Sequence, residues 1–175
     1  ITHLGIPPQG RRKLMLTRFR AECTALYSMS IAEAKRLQHG YVGVEHVSLA
    51  LLRDPVYPLV AALKQIGFDV PTLIHTFVKE VGTGEFSSVA TDATPRLTAI
   101  LTLVAAEGEL TPRTLLKGIL LEGESLFARF LVAQGVAIKN LLNILDGGEP
   151  SDFSVDATRF SSGRIVPAST VPVKP

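Results

Sequence analysis

The sequence has one cysteine and no tryptophan, and only 6% of its 175 residues are aromatic. A single cysteine, Cys23, excludes a disulfide within the chain and leaves too few soft ligands for a structural zinc site. None of the four histidines is paired with a carboxylate partner at the helical four-residue spacing. We therefore expect that the protein binds no metal. We also expect it in a reducing compartment, by default the cytoplasm.

Motifs of nucleotide chemistry and of nucleophilic catalysis are also missing. The chain contains neither a GxxxxGK[ST] loop nor a GxGxxG loop, so it offers no recognisable cradle for phosphates. No serine lies in a GxSxG context, and Cys23 occupies an apolar-face position that favours a core role over a nucleophilic one. We predict that this segment is not an enzyme, does not hydrolyse ATP and binds no cofactor.

Membranes and nucleic acids are not indicated as partners either. No stretch approaches the roughly 18 uninterrupted apolar residues of a membrane span, since the most apolar run, residues 100–106, lies between Arg96 and Glu107. The net charge of +2 is small, although residues 11–20 are locally basic. That basic cluster leaves nucleic-acid binding as a minor alternative, because no clear helix-turn-helix signature follows it.

An internal repeat is the most informative feature that is present. Residues 43–77 align without gaps on residues 111–145 at an offset of 68, and residues 23–33 align on residues 97–107 at an offset of 74. Repeat two is therefore six residues shorter, in a turn near Gly108. The matches are mainly apolar residues and glycines: Cys23/Leu97, Leu26/Ile100, Leu51/Ile119, Leu63/Leu131, Gly67/Gly135 and Leu73/Leu141. This pattern predicts a duplicated fold.

The repeats read as helices. Apolar residues recur at three- and four-residue steps, and Thr94-Pro95 and Thr111-Pro112 place a capping hydroxyl before a proline suited to a first turn. We predict an all-α domain of eight helices, in two pseudo-symmetric four-helix repeats packed compactly and without a sheet. The predicted segments are a linker over 1–16, repeat one over 17–81, a connector over 82–92, repeat two over 93–146 within a domain ending at 149, and a flexible tail over 150–175 leading to a downstream region.

One stretch is specific enough to indicate a family. Residues 33–52, EAKRLQHGYVGVEHVSLALL, strongly resemble the Clp amino-terminal repeat, whose usual form is close to EA-x-x-LGH-x-x-V/I-G-T-EHLLLALL. Phe19 occupies the opening aromatic position of that family, and residues 58–73 and 94–107 resemble its third helix and the start of its second repeat. The resemblance covers about residues 17–146.

The resemblance implies a docking function. Such domains head AAA+ unfoldases of the Clp type, so it implies partners that are unfolded or marked substrates, adaptor proteins and the chain's own downstream ATPase modules, where ATP would bind. The function expected is delivery of substrates for unfolding, disaggregation or proteolysis. The alternative is a stand-alone Clp-repeat protein that stabilises or regulates a protease complex without a motor.

The resemblance also indicates binding residues. In the ClpC-type branch the glutamate of each T-E-H motif recognises phosphorylated arginine, which by position implies Glu45 beside His46 in repeat one. The motif threonine is Val44 here, and repeat two carries Arg113 and Thr114 at the matching positions. A guanidinium would weaken a second such site and could accept an anionic group instead. From the residues alone, Glu45 and His46 could also form an acid/base pair of an enzyme, but neighbouring residues on a helix point about 100° apart. Over that catalytic interpretation we favour a plainer one, in which both are helix-terminus residues.

Overall fold

The computed structural model of the protein describes residues 7–88 and 92–148. These residues form nine α-helices, and the prediction of an all-α fold is confirmed. The helices are α1 (Pro8–Glu22), α2 (Thr24–Arg36), α3 (Val44–Arg53), α4 (Pro58–Gln65), α5 (Val70–Val81), α6 (Pro95–Glu107), α7 (Pro112–Glu122), α8 (Leu126–Ala133) and α9 (Ile138–Leu145). None of the helices in the described ranges is long and apolar enough to cross a membrane.

Eight of these helices form the two predicted repeats, α2 to α5 and α6 to α9. The hydroxyl of Thr94 accepts a hydrogen bond from the Leu97 N–H at 3.2 Å, and that of Thr111 accepts from the Thr114 N–H at 3.1 Å. Both threonines therefore cap helices as the sequence indicated. The turn between the third and fourth helix of each repeat contains a glycine with positive φ, Gly67 at +96° and Gly135 at +92°.

The predicted linker over residues 1–16 is wrong from residue 8 onward, because these residues belong to helix α1. Pro8 occupies the first turn of that helix, where its fixed φ and missing N–H cost nothing. Met15 and Leu16 are buried, and α1 packs against α2 and α6. The fold therefore has a ninth helix outside the repeats. Cys23 lies between α1 and α2 and interrupts the helical conformation there.

The two repeats share one apolar core. Helix α3 contacts α2, α4 and α5 of its own repeat and α7 and α8 of the other. Its residues 44 and 46–52 are all buried, as expected for a helix surrounded by core. The ring of Phe77 lies 5.2 Å from that of Phe127 and 4.8 Å from that of Phe130, so aromatic contacts join α5 to α8.

The described part of the connector, residues 82–88 and 92, runs beside the turn that joins α2 to α3. The Phe86 N–H donates to the Gln38 carbonyl at 2.9 Å, and its ring covers Gly40. An isolated parallel bridge joins Val42 to Ala93. These bonds satisfy backbone groups of the turn and fix the approach to α3. The predicted tail over residues 150–175 lies outside the described residues.

Candidate functional site

The first candidate position is the start of α3, where His46 acts as a helix cap. The Gly43 N–H donates to Nδ1 of His46 at 2.9 Å, and Nε2 of His46 lies 2.8 Å from Nδ1 of His39. Because the backbone N–H is a fixed donor, Nδ1 must accept, and the proton of the neutral ring therefore sits on Nε2 and points to His39. The ring of Tyr41 stacks on His39 at a centroid distance of 5.1 Å.

Burial keeps this imidazole neutral. His46 is fully buried, and burial, with a smaller effect of His39, lowers its pKa from 6.5 to about 3. A second proton would also replace the acceptor that the Gly43 N–H requires. His46 is thus a supporting residue of the α3 start and does not reach the surface where a partner would bind.

Glu45, by contrast, is partly exposed beside His46. Burial, then the charge of the nearby Glu45 carboxylate and hydrogen bonding to it, raise the pKa of Tyr41. The carboxylate also lies over Gly43, where an added Cβ would come within 2.6 Å of it. Glu45 therefore presents a carboxylate at a helix N-terminus, near Tyr41 and over a glycine that leaves room for it.

Arg113 and Thr114 occupy the matching positions at the start of α7. The Thr114 hydroxyl oxygen accepts from the Thr111 N–H at 2.9 Å, so it performs the capping that His46 performs in repeat one. Arg113 instead extends to the end of α9, where its guanidinium donates to the Leu145 carbonyl. A cation there is stabilised by the negative end of the helix dipole.

The four predicted residues do not form one site. Within the described ranges, no hydrogen bond or ion pair joins Glu45 or His46 to Arg113 or Thr114. Arg113 lines a cavity of about 370 Å³ between the α3–α4 turn and α9, together with Val56 and Ile144. Thr114 lines a different cavity, on the far side of α7's first turn, that the sequence did not indicate.

That second cavity is an apolar groove between α6 and α7, with a volume of about 430 Å³. This groove is lined by Ile100, Leu103, Val104, Glu107, Gly108, Glu109, Thr114, Lys117, Gly118, Leu121 and Glu122. Leu103 is 60% exposed and Leu121 is 69% exposed. Large apolar side chains facing water beside a cavity of this size are typical of a binding surface.

Repeat one differs from repeat two at positions that line the groove. In repeat one, Glu33 is buried and Arg53 on α3 lies 2.5 Å from its carboxylate, which ties α2 to α3. The counterpart of Glu33 in repeat two is Glu107, which is exposed, and the counterpart of Arg53 is Leu121. The ion pair is therefore lost, and an apolar side chain stands in its place.

Two further features shape the groove. A Cβ on Gly118 would come within 2.6 Å of the Val104 side chain, so the glycine allows α6 and α7 to approach closely at the groove floor. The six-residue deletion shortens the α6–α7 turn to residues 108–111. Two features of the sequence point to the groove: the deletion, and a leucine, Leu121, at the position that matches Arg53 of repeat one. The exposure of Leu121 follows only from how the helices pack.

The rim of the groove is acidic. Glu122 pairs with Arg96, and Nζ of Lys117 lies 2.5 Å from Oδ1 of Asp146. In the part of the chain that the structure describes, no hydrogen bond or ion pair involves the carboxylates of Glu107 and Glu109. Two free carboxylates beside an apolar floor favour a ligand with cationic and apolar side chains.

The described residues contain no cluster of metal ligands, and their cysteine is buried. No group of three or more histidine, cysteine, aspartate or glutamate residues in these ranges could hold a metal ion. Cys23 is buried, and burial, with a smaller effect of Glu22, raises the pKa of its thiol to about 11. A thiol with so little thiolate at neutral pH is a poor nucleophile.

Comparison with known proteins points to one family. Residues 24–109 match the model of the Clp repeat (R) N-terminal domain. The chain is 31% identical over 164 residues to an ATP-dependent Clp protease ATP-binding subunit ClpA homolog of Cyanidium caldarium, covering 87% of this chain and 19% of that protein. It is 30% identical over 160 residues to chloroplastic ClpC2 of Arabidopsis thaliana, covering 86% and 17%.

A bacterial relative and a solved structure agree with this match. The chain is 27% identical over 146 residues to the chaperone protein ClpB of Oceanobacillus iheyensis, covering 78% of this chain and 18% of that protein. The chain thus spans about a fifth of the length of these relatives. The fold is similar to a ClpV N-domain solved in complex with a VipB peptide, with a TM-score of 0.57, 20% identity and coverage of 80% and 94%.

Proposed function

Since this chain carries a Clp repeat (R) N-terminal domain, matched over residues 24–109, we propose that it is a docking domain that receives protein segments for a Clp-type ATP-dependent unfoldase. The groove between α6 and α7 is the single observation that carries the proposal. It combines a volume of about 430 Å³ with two leucines that face water. The ClpV N-domain of similar fold was solved with a peptide of another protein, which supports peptide docking as the activity of such a domain.

The chemistry of the groove indicates the kind of segment that docks. Burying one leucine-sized side chain against Leu103 and Leu121 contributes about 1.5–3 kcal/mol. The carboxylates of Glu107 and Glu109, unpaired within the described ranges, favour lysine or arginine beside that side chain. Unfolded proteins expose such stretches, whereas folded proteins bury the apolar part, so the groove distinguishes unfolded segments from folded ones.

To test the proposal, an arginine is introduced at Leu121, the position in repeat two that matches Arg53 of repeat one. Leu121→Arg puts a guanidinium near Glu107 and removes an exposed apolar side chain, so it leaves the core untouched. Val132→Arg is the matched control, because Val132 lies on α8 outside the groove and is 59% exposed. Binding of a fluorescent, permanently unfolded model protein is measured by anisotropy for both variants.

We expect Leu121→Arg to weaken binding by about tenfold, the equivalent of losing one buried leucine-sized contact. Val132→Arg should bind like the unmodified chain. Equal affinities for the two variants would show that the unfolded protein docks elsewhere, and the proposal would then fail for this groove.

Other predictions from the resemblance belong to the same proposal and stay predictions. Recognition of phosphorylated arginine falls to Glu45, whose partly exposed carboxylate is free of cationic partners in the described ranges. Repeat two offers no matching carboxylate, since Arg113 caps α9. ATP binding and adaptor binding by the whole protein, the motor-free alternative and the cytoplasmic location are equally open to test, and several relatives are named as chloroplastic.

A further inference from the structure

We propose that residues 157–166, ATRFSSGRIV, dock in the groove between α6 and α7 of the same chain and compete there with incoming protein segments. This inference rests on the proposed docking role of the groove. Its consequence is a domain whose docking surface is covered until a stronger ligand displaces the tail.

The place where the described chain ends is the first argument. Helix α9 ends at Leu145, and the description of the chain ends at Gly148. Between them, the carboxylate of Asp146 lies 2.5 Å from Nζ of Lys117, which lines the groove. The chain therefore leaves the described fold directly beside the groove.

Complementary charge is the second argument. The groove has an apolar floor, and at its rim lie the carboxylates of Glu107 and Glu109, which have no hydrogen-bond or ion-pair partner among the residues that the structure describes. Residues 157–166 carry Arg159 and Arg164 with no acidic residue, next to apolar Phe160, Ile165 and Val166. The preceding residues 149–156 are instead acidic, with one glutamate and two aspartates, and so are repelled by the same rim.

Reach and local concentration are the third argument. The eleven residues that follow Gly148, 149–159, span up to about 36 Å when extended. Helix α6, with 13 residues, is only about 20 Å long, so the segment can reach any part of the groove. A tether of this length gives an effective concentration on the order of millimolar. A contact with a dissociation constant of about 0.1 mM is then about nine-tenths formed.

The test places a nitroxide label in the tail of the full chain. Ser162→Cys provides the attachment point, and the native Cys23 does not compete for the reagent because its thiol is buried and its pKa is raised to about 11. Broadening of methyl NMR signals is then compared between Leu103 and Leu121 in the groove and the exposed Val56 and Val132 outside it.

We expect Leu103 and Leu121 to lose most of their signal intensity while Val56 and Val132 keep theirs. Adding Phe160→Ser and Ile165→Ser should restore the groove signals. Broadening that is equal at all four residues, absent from the groove or unaffected by the two serines would overturn the proposal. So would broadening that arises only between chains, detected by mixing labelled chains with separate isotope-enriched ones.

Competition separates this inference from the proposed function. In the Phe160→Ser/Ile165→Ser variant, we expect the unfolded model protein to bind about tenfold more tightly, because a tethered competitor at millimolar effective concentration has been removed. If the label broadens the groove but the unfolded protein never binds, the tail contact stands and the docking function fails. If the unfolded protein needs the groove but the label does not broaden it, only the tail proposal fails.

Discussion

At the scale of single residues, His46 makes the stability of the fold depend on pH. Its folded-state pKa of about 3 lies below its ordinary value of 6.5, so between these values the unfolded chain binds a proton that the folded chain does not. Stability is therefore complete above pH 6.5 and falls as the pH is lowered, by about 1.4 kcal/mol per pH unit. From pH 7 to pH 5 this one histidine should remove about 2 kcal/mol of the unfolding free energy.

The measurement is urea unfolding at pH 7 and pH 5 for the unmodified chain and for His46→Thr. Threonine is the residue that caps α7 at the matching position, so it keeps an acceptor for the Gly43 N–H while removing the titrating ring. In this variant, the difference between the unfolding free energies at pH 7 and at pH 5 should be smaller by about 2 kcal/mol. The exposed His75→Thr serves as control, and an unchanged pH difference in His46→Thr would contradict the assigned role.

At the scale of helices, α1 should contribute to stability even though its sequence resembles a linker. Leu16 is buried, whereas its neighbour Leu14 is 44% exposed. Because a leucine truncated in a packed interior leaves a cavity, Leu16→Ala should lower the unfolding free energy by about 2–4 kcal/mol. Leu14→Ala is the matched control and should change it by less than about 0.5 kcal/mol. Equal small effects in urea unfolding would mean that α1 is not packed on α2 and α6.

The same helix shows what limited prediction of the fold from the sequence. The repeats were readable because apolar residues such as Leu51 and Ile119 recur at helical spacing and at a fixed offset. Helix α1 has no counterpart in either repeat. Its apolar residues 14–16 are consecutive and do not follow the helical spacing that marks one face. Pro7 and Pro8 favoured a linker, although a proline at a first helical turn is equally compatible with a helix start.

Prediction of the site was limited for a different reason. Glu45 and Arg113 stood out because a motif pointed to them, and the structure shows one carboxylate at the surface and one guanidinium used as a cap. The groove depends on how far apart α6 and α7 lie at Leu103 and Leu121, which is a property of packing. The sequence contains its causes, the lost arginine and the shortened turn, but not the resulting exposure.

At the scale of the whole molecule, the two repeats should unfold as one unit, because the core belongs to both. Helix α3 lies against α7 and α8, α4 against α9, and α5 against α8, so neither repeat can open without exposing apolar surface of the other. All three tyrosines, Tyr27, Tyr41 and Tyr57, lie in repeat one. Near-ultraviolet circular dichroism of tyrosine therefore reports repeat one alone, while far-ultraviolet dichroism reports the helices of both repeats.

We expect the urea transitions followed by these two signals to coincide. Phe77→Ala, which removes the ring that packs on Phe127 and Phe130 across the repeat boundary, should shift both transitions together by about 3–5 kcal/mol. Phe86→Ala is the control, since that ring is about half exposed on the connector and its loss should cost far less. A far-ultraviolet transition that persists after the tyrosine signal is lost would instead show that repeat two is stable alone, and the shared core would then be an interface between two independent folding units.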